Sequence, residues 1–527
     1  MDPSIWLRLP DAGGEVDHAL IAQPILATLA ERVRRQPERV AVADARRSFS
    51  YRQLWALAQD YGQAIIDAGA GPGPVGLLVD GDARYAVGLL AGLFAGRACL
   101  PLDAATPAPR LAEMLGIARA GLVLASRDDA GMRAAAAGLP LVVAPADAAA
   151  DSGGLVAAPD GGDQDAPAFI LATSGSSGRP KLVVHSQRTI AHRGFYRMTG
   201  AGSTQEDRLM LVGAPAAYAT ISHIFGTLFA GAAGHLIDMR QEGIGALFAR
   251  MERERITVLR AGPSLGRVIA GLDGARGAMA HLRLIWLAGE PPTREDIALL
   301  RAVAPAECVI LNGYGATEMV SFRWFVPAGS PSGWGEAATG PLPVGMPDGG
   351  AQAVLLRDDG TACGPGEAGE LVVRSRYNAL GECEDGVYVL GRLVPDPAAP
   401  GCRVYFSGDI ARRQADGSFV VLGRRDRMIK INGQRFEPME VETALRGHAG
   451  VRDAVVLPRA QGKATGLVAF VAAGGDPDPG LADGLQAALR RHFPAYMVPS
   501  RLVVLARLPR LPSGKVDAAA LLAGLAD

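Results

Sequence analysis

At 527 residues the chain is too long for one ordinary core, and at ~100–200 residues per domain it holds several units. Its 49% hydrophobic and 20% charged residues suit a soluble globular enzyme, and 53 basic against 54 acidic side chains leave a formal charge of −1, which implies no polyanion-binding surface and no nucleic-acid partner. Five scattered cysteines (Cys99, Cys308, Cys363, Cys383 and Cys402) without a C-x-x-C pair argue against a disulfide framework or zinc site and suit a reducing cytoplasm. The opening MDPSIWLRLPDAGG lacks the basic and apolar regions of a signal peptide.

In chain order, Ser50-Tyr-Arg-Gln53 reads as a capping box that opens a helix with Leu54, Ala58, Tyr61 and Ile65 on one face. The apolar run Ala86–Gly96 is too short to span a bilayer, ends at Arg97, and predicts a buried helix rather than a membrane segment. Apolar runs at Val75–Val79, Ala168–Leu171, Leu284–Leu287 and Val309–Leu311, each bounded by polar or turn residues, predict buried strands of an α/β sheet. Asp128–Asp165, rich in Ala, Gly and Asp, predicts loop and surface apart from a weak strand at Leu141–Val143. No repeat recurs. Past Gly423 a second unit of about 100 residues is expected, with a helix at Met439–Arg446, strands at Ala454–Leu457 and Leu467–Val471, and a helix around Leu485–His492. Its charged opening, Arg424-Arg-Asp-Arg427, reads on spacing alone as a solvated turn.

Chemistry concentrates in a few short segments. In Phe169-Ile-Leu-Ala-Thr-Ser-Gly-Ser-Ser-Gly-Arg-Pro-Lys181 a strand runs into a loop of small residues, Thr173, Ser174, Gly175, Ser176, Ser177 and Gly178, and closes on Lys181. Glycines let the backbone approach an anion, NH and hydroxyl groups can donate to phosphate oxygens, and Lys181 adds a point charge. The spacing is not that of the ordinary P-loop, and the segment taken alone reads equally well as a bare Gly/Ser turn. Further segments are Leu287-Ala-Gly-Glu-Pro291, Asn312-Gly-Tyr-Gly-Ala-Thr-Glu318, Tyr405-Phe-Ser-Gly-Asp409 and Leu508-Pro-Arg-Leu-Pro-Ser-Gly-Lys515-Val-Asp517. Singly, Tyr314 reads as core, Glu318 as a surface acid and Lys515 as a solvated lysine.

In this order the segments resemble the adenylate-forming superfamily: acyl-CoA synthetases, firefly-type luciferases and the adenylation domains of nonribosomal peptide synthetases. The resemblance runs from FSYRQLWALAQ near Phe49, through LLAGLFAGRACLPLDAATPAPRLAEML, to PSGKVD at Asp517, and is strongest to a stand-alone peptide-synthetase-type enzyme. It implies an α/β fold: a large adenylation core of packed α/β subdomains over 1–424, a hinge at 425–427, and a small mobile α+β lid over 428–527. It also implies roles. Thr173–Lys181 would cradle phosphates, and Gly289, Glu290 and Pro291 would form an adenine-side loop. Tyr314 would stack on adenine between Gly313 and Gly315, with Asn312 near the adenine amino group. Thr317 would contact the α-phosphate, Glu318 would ligate Mg²⁺, Asp409 would accept from the ribose hydroxyls, and Arg424 would touch the nucleotide. Asp426 would be the pivot, Lys430 and Gly433 would face the site in the thioester-forming pose, and Lys515 would bridge substrate carboxylate and phosphate.

The implied reaction is ATP-dependent formation of an acyl-adenylate with release of pyrophosphate, followed by transfer of the acyl group to a thiol. Only twelve residues follow Lys515, so the expected acceptor is the phosphopantetheine of a separate carrier protein, with free CoA as the alternative. Amino-acid-activating relatives keep an Asp in a Phe-Asp pair that binds the substrate ammonium. Counting back from Ile224-Phe225-Gly226, that pair becomes Ala217-Tyr218, so the expected acid is not an ordinary α-amino acid. The same register places Tyr218, Ala219, Ser222, Arg260, Trp286, Ala288, Gly313, Ser321 and Phe322 around it. Arg260 would either pair with a second carboxylate or polar group or point outward, and an acid such as Asp238 reaching the pocket would break the register. A cytoplasmic monomer is expected. An amidase with a Ser-Ser-Lys arrangement and an inactive adenylate-binding module are the readings from other classes.

Overall fold

A computed structural model describes residues 18–143, 162–174, 179–213, 215–289, 291–292, 294–329, 342–425, 429–431, 434–436, 438–446, 448, 450–461, 464–473, 480–509 and 516–525. The chain divides into two compact units, one of residues 1–104, 115–172 and 182–425, the other of residues 105–114, 173–181 and 426–527.

Two large sheets organise the first unit. In the nine-stranded sheet, Val309–Tyr314, Leu284–Ala288, Val258–Ala261, Arg208–Val212, Ala233–Ile237 and Val40–Ala43 run parallel in that spatial order. Antiparallel strands flank these, Phe322–Phe325 and then Met346–Pro347 on one side and Ser48–Ser50 on the other. In the eight-stranded sheet, Cys99–Asp103, Val75–Val79, Leu122–Ala125 and Leu141–Val143 are parallel neighbours. Parallel strands are covered on both faces, which is why Leu284-Ile-Trp-Leu287 and Leu122-Val-Leu-Ala125 are apolar throughout. A five-stranded antiparallel sheet built on Ala368–Ser375 and Arg403–Arg413 completes the unit.

Helices fill the space between the strands. Tyr51–Asp67 starts on the expected capping box, Ser50 and Gln53 bonding reciprocally, and buries Leu54, Ala58, Tyr61 and Ile65. Arg84–Phe94 is buried from Arg84 to Leu93, which explains an apolar composition all round the helix. The expectation that Asp128–Asp165 is loop and surface needs one correction. Asp129 caps a helix at Ala130–Ala135 by accepting from Met132 N, and Met132 and Ala135 are buried; Ala-rich sequence forms helix once a cap and two buried side chains support it. Residues 144–161 lie outside the described ones.

In the second unit, Val451–Gln461, Ala464–Ala473 and Arg501–Leu505 form a three-stranded sheet, and Ile429–Ile431 pairs with Gln434–Phe436 as a hairpin. Helices Pro438–Arg446 and Leu481–His492 contribute Val441, Leu445, Leu485 and Leu489 to a core shared with Val456 and Leu467. Among the described residues no helix is long and apolar enough to cross a membrane.

Candidate active site

The parallel strands of the nine-stranded sheet end together, so Arg260, Ala288 and Gly313-Tyr314 come to one edge, the place where open α/β sheets bind ligands. Gly289 follows with φ +96°, a left-handed conformation that suits glycine in the turn leaving Leu284–Ala288.

On one side of this edge Tyr314 meets Asp409, its hydroxyl donating to Asp409 Oδ2. Asp409 is held by a local irregularity in the strand Arg403–Arg413. Glu370 pairs with Ile410 and Val372 with Phe406, so Ser407, Gly408 and Asp409 stand opposite Leu371 alone. Gly408 adopts φ +72° and its N–H donates to Glu370 Oε1 at 3.0 Å. Ser407 Oγ accepts from Asp409 N at 3.0 Å and donates to the Leu371 carbonyl at 2.6 Å. The bulge thus re-aims the Asp409 side chain, which is 4% exposed, towards Tyr314. Asn312 is buried, with its Nδ2 donating to the Pro343 carbonyl at 2.7 Å. Thr317 is half-buried and Glu318 buried, in the segment between Tyr314 and the antiparallel strand Phe322–Phe325, while Gly315 and Pro291 are exposed.

The other side is built from two helices, three strands and the loop that carries Ser321. Ser186 caps the helix Gln187–Gly200 by accepting from Thr189 N, and Arg193 and Arg197 lie one turn apart on it. Arg193 donates through Nη1 to Ser321 Oγ, through Nη2 to the Met319 carbonyl, and through Nε to Tyr218 Oη at 3.3 Å. Its guanidinium lies 4.9 Å from the Tyr218 ring centre, and His185 stacks on the same ring at 4.5 Å. Arg197 donates to Ser321 Oγ at 3.1 Å and sits 4.5 Å over Trp286, whose ring also meets the His223 edge at 5.2 Å. Arg260 points inward rather than outward: Nη1 faces the Val212 carbonyl at 3.4 Å, and its Nε is sealed from solvent with no hydrogen-bond partner. Burial and neighbouring positive charge push the Arg197 guanidinium down to about 9, and burial alone pushes Arg260 down to about 10. His185 is pushed down to about 3, by burial first and then by Arg193.

Of the pocket residues expected from sequence, Tyr218, Trp286 and Ser321 are joined by Arg193 and Arg197, and Arg260 lies beside Trp286 on the neighbouring strand. Phe322 is fully buried against Tyr314, their ring centres 5.7 Å apart. A Cβ at Gly313 would collide with Trp286 Nε1, so the backbone there passes directly over the indole. Ser222 is buried and donates to the Ala219 carbonyl at 2.9 Å, and Ala288 is half-buried. Asp238 does not return as an ammonium ligand: it caps the helix Met239–Arg253 and pairs with Arg240 at 3.1 Å. Sequence reasoning missed Arg193, Arg197, His185 and His223. The available signal was two arginines four apart in line with the apolar Ile190, a stripe that ordinarily faces the core.

In the second unit Thr173 Oγ1 donates to the Lys181 carbonyl at 3.4 Å. Gly175, Ser176, Ser177, Gly178, Glu290, Asp426, Gly433 and Lys515 lie outside the described residues, as do the side chains of Ser174, Arg424 and Lys430. Arg425 is anchored to the first unit by ion pairs with Glu370, at 3.0 Å, and Asp358.

This fold matches that of adenylate-forming enzymes. The AMP-binding enzyme family profile matches residues 29–381, and the AMP-binding enzyme C-terminal domain profile matches residues 440–515. The chain belongs to this family and is an adenylate-forming ligase that uses ATP. It is 34% identical over 517 residues to phosphinothricin tripeptide synthetase PhsC of Streptomyces viridochromogenes, an alignment covering 94% of this chain and 44% of that one. It is 31% identical over 514 residues to isonitrile lipopeptide synthase of Streptomyces coeruleorubidus, over 96% of this chain and 34% of that one, so it spans less than half the length of either synthetase. Among solved structures, holo-PA1221, a nonribosomal peptide synthetase protein containing adenylation and carrier (PCP) domains bound to a vinylsulfonamide inhibitor, superposes with TM-score 0.80 at 25% identity over 96% of this chain and 85% of that one. IdnL1 does so with TM-score 0.74 at 27% identity over 92% and 99%.

Proposed function

We propose that the enzyme activates a carboxylic acid other than an ordinary α-amino acid as its acyl-adenylate and passes the acyl group to the phosphopantetheine of a carrier protein. The observation that carries the acid assignment is Arg193 over Tyr218: where amino-acid-activating relatives keep a carboxylate for the substrate ammonium, this chain has a guanidinium, which repels one. The strand-end edge carries two groups of side chains, with Tyr314 and Asp409 suited to a base and a ribose, and the Arg193 side suited to an acid.

A carboxylate must reach the α-phosphorus of a polyanion, so positioning and charge neutralisation carry the rate. Thr317 and the Thr173–Lys181 segment would hold phosphate oxygens, and Lys515 would bridge the two reacting anions. Among the described residues no group of three or more His, Cys, Asp or Glu side chains gathers as a metal cluster. The buried Glu318 alone suits Mg²⁺, which takes one or two carboxylates and otherwise keeps water and phosphate oxygens. That ion would neutralise phosphate charge. The ion pairs of Arg425, the last residue of the first unit, support Asp426 as the pivot of a lid spanning 428–527, with Lys430 brought in for the thioester-forming step. Five free cysteines suit a reducing cytoplasm, and we read the protein as a monomer there.

ATP–pyrophosphate exchange with matched acids, with and without an α-amino group, tests the first half-reaction. The desamino member is expected to win, and a consistent preference for the amino member overturns the acid assignment. Thioester formation with a phosphopantetheinylated carrier beside free CoA tests the second; efficient turnover with CoA alone would make this an acyl-CoA ligase.

A further inference from the structure

We infer that the acid carries a second anionic oxygen group at its far end, and that Arg197 and Arg260 bind it. This rests on the adenylation reading and names the substrate class of that same pocket.

Three guanidinium groups converge here from two elements. Arg193 and Arg197 share Ser321 Oγ, and His223 feels the charge of Arg193, Arg197 and Arg260 together. Among the described residues none of the three has a carboxylate within ion-pair distance. The nearby buried Asp348 is paired with Arg323 at 2.7 Å. Asp348 also acts on Arg197, but one carboxylate shared with Arg323 leaves an excess of positive charge, which is costly where burial calls for pairing.

The unused donors show where a ligand belongs. Arg193 spends its guanidinium on Ser321, Met319 and Tyr218, but Arg197 Nε and Arg260 Nε are sealed from solvent and donate to nothing. Trp286 Nε1, His223 Nε2 and Thr220 Oγ1 are likewise without partners. Arg260 and Trp286 are register partners on adjacent strands, Trp286 touches both His223 and Arg197, and Thr220 Oγ1 and Arg260 Nη1 approach the same point beside Gly213, at 3.0 and 3.1 Å. Those donors, with buried rings between them, fit an oxyanion attached to an organic acid. A point beside Gly315, the residue after Tyr314, lies 3.2 Å from Ser321 Oγ and 3.6 Å from Arg193 Nη1, so Arg193 belongs to the nucleotide end. Arg197, one turn farther along the helix, and Arg260, two residues back from the Ala288–Gly313 row, belong to the far end.

The test uses size-matched pairs: butyrate with succinate, valerate with glutarate, benzoate with isophthalate, and 3-phosphonopropionate to separate phosphonate from carboxylate. Pyrophosphate exchange and calorimetric binding are measured for the full chain, for Arg260→Met and for Arg260→Gln. At least one dianion is expected to exceed its monoacid by ~10²-fold in kcat/KM, and both variants to lose that advantage because the dianion value falls far more than the monoacid value. Because Arg260 lacks an ion pair, the variants should melt no lower than the parent. Monoacids equal to or better than dianions throughout, equal losses for both members of a pair, or a marked fall in melting temperature would each overturn the inference. If no acid supports exchange, calorimetry separates the readings. A dianion bound by the parent and not by the variants keeps the anion subsite and overturns adenylation; absence of dianion binding overturns the subsite.

Discussion

The two sides of the strand-end edge are built on opposite plans. The nucleotide side takes its groups from short contiguous segments: Asn312 to Glu318 follow one strand, and Asp409 projects from a bulge that three consecutive residues create. Its chemistry is closed in on itself, with Tyr314 donating to Asp409 and Ser407 holding the Asp409 backbone. The acid side draws Arg193 and Arg197 from a helix, Arg260 and Trp286 from two parallel strands, and Ser321 from a loop. It leaves sealed donors unused. The difference teaches that a constant ligand can be met by a contiguous motif whose groups pre-organise one another, whereas a variable one is met by scattered side chains whose polarity is completed by the substrate.

The largest expected effect should fall on both sides equally. Lys515→Ala is expected to lower the adenylation rate by at least ~10²-fold, the cost of one charge-stabilising donor, while sparing transfer from a supplied acyl-adenylate. Single-turnover assays of each half-reaction measure this. Equal damage to both would remove Lys515 from a role confined to one pose.

Next comes an acid-side property that needs no substrate. His185 is held neutral, its folded value of about 3 lying below the unfolded ~6.5, and His223 is held well below its ordinary range. The unfolded chain therefore binds more protons between those values. The stabilising contribution is present above about 6.5 and is lost as pH falls towards 3, by up to about 1.4 kcal/mol per pH unit for each histidine. Denaturant melts between pH 7 and 5 should show that slope, and His185→Gln should flatten it. A slope unchanged by the substitution would mean other groups drive it.

On the nucleotide side, Asp409→Asn keeps the shape and removes the charge. Hydrogen bonds to a charged group contribute about 1.5–3 kcal/mol, so KM for ATP should rise by about tenfold or more with KM for the acid unchanged. Steady-state kinetics with each substrate varied in turn decide the point, and a parallel rise in both constants would erase the distinction between the sides.

Much of this asymmetry governs what the sequence could reveal. The capping box at Ser50, the buried helix near Ala86 and the strands at Leu284 and Val309 were legible because local chemistry and periodicity agree with the final packing. The nucleotide side was legible through contiguous segments resembling a family. Register expected Tyr218, Trp286 and Ser321 near one another and the structure joins them through Arg193 and Arg197, which register did not single out. Two arginines in line with Ile190 look like charges set in a core-facing stripe until a neighbouring strand brings Trp286, and a loop Ser321, against them. The short helix at Ala130–Ala135 was hidden for a similar reason, since alanines and one aspartate signal a helix only when a core receives Met132.

The smallest expected effect gives the sharpest test of that division. Tyr314→Phe deletes one hydroxyl and preserves the ring, so stacking on a base survives and only the bond to Asp409 is lost. If that bond holds the carboxylate ready for two ribose hydroxyls, its loss costs about 1 kcal/mol, a rise of roughly fivefold in KM for ATP. If instead the phenol competes with the ribose for the same oxygen, KM for ATP should fall, because deletion frees an acceptor. The sign therefore separates pre-organisation from competition. In both cases the acid should not notice, because the edge contact of Tyr314 with Phe322, ring centres 5.7 Å apart, is kept by the phenyl ring. A change in KM for the acid as large as that for ATP would show that the two sides are one coupled site, and the contrast drawn between them would fail.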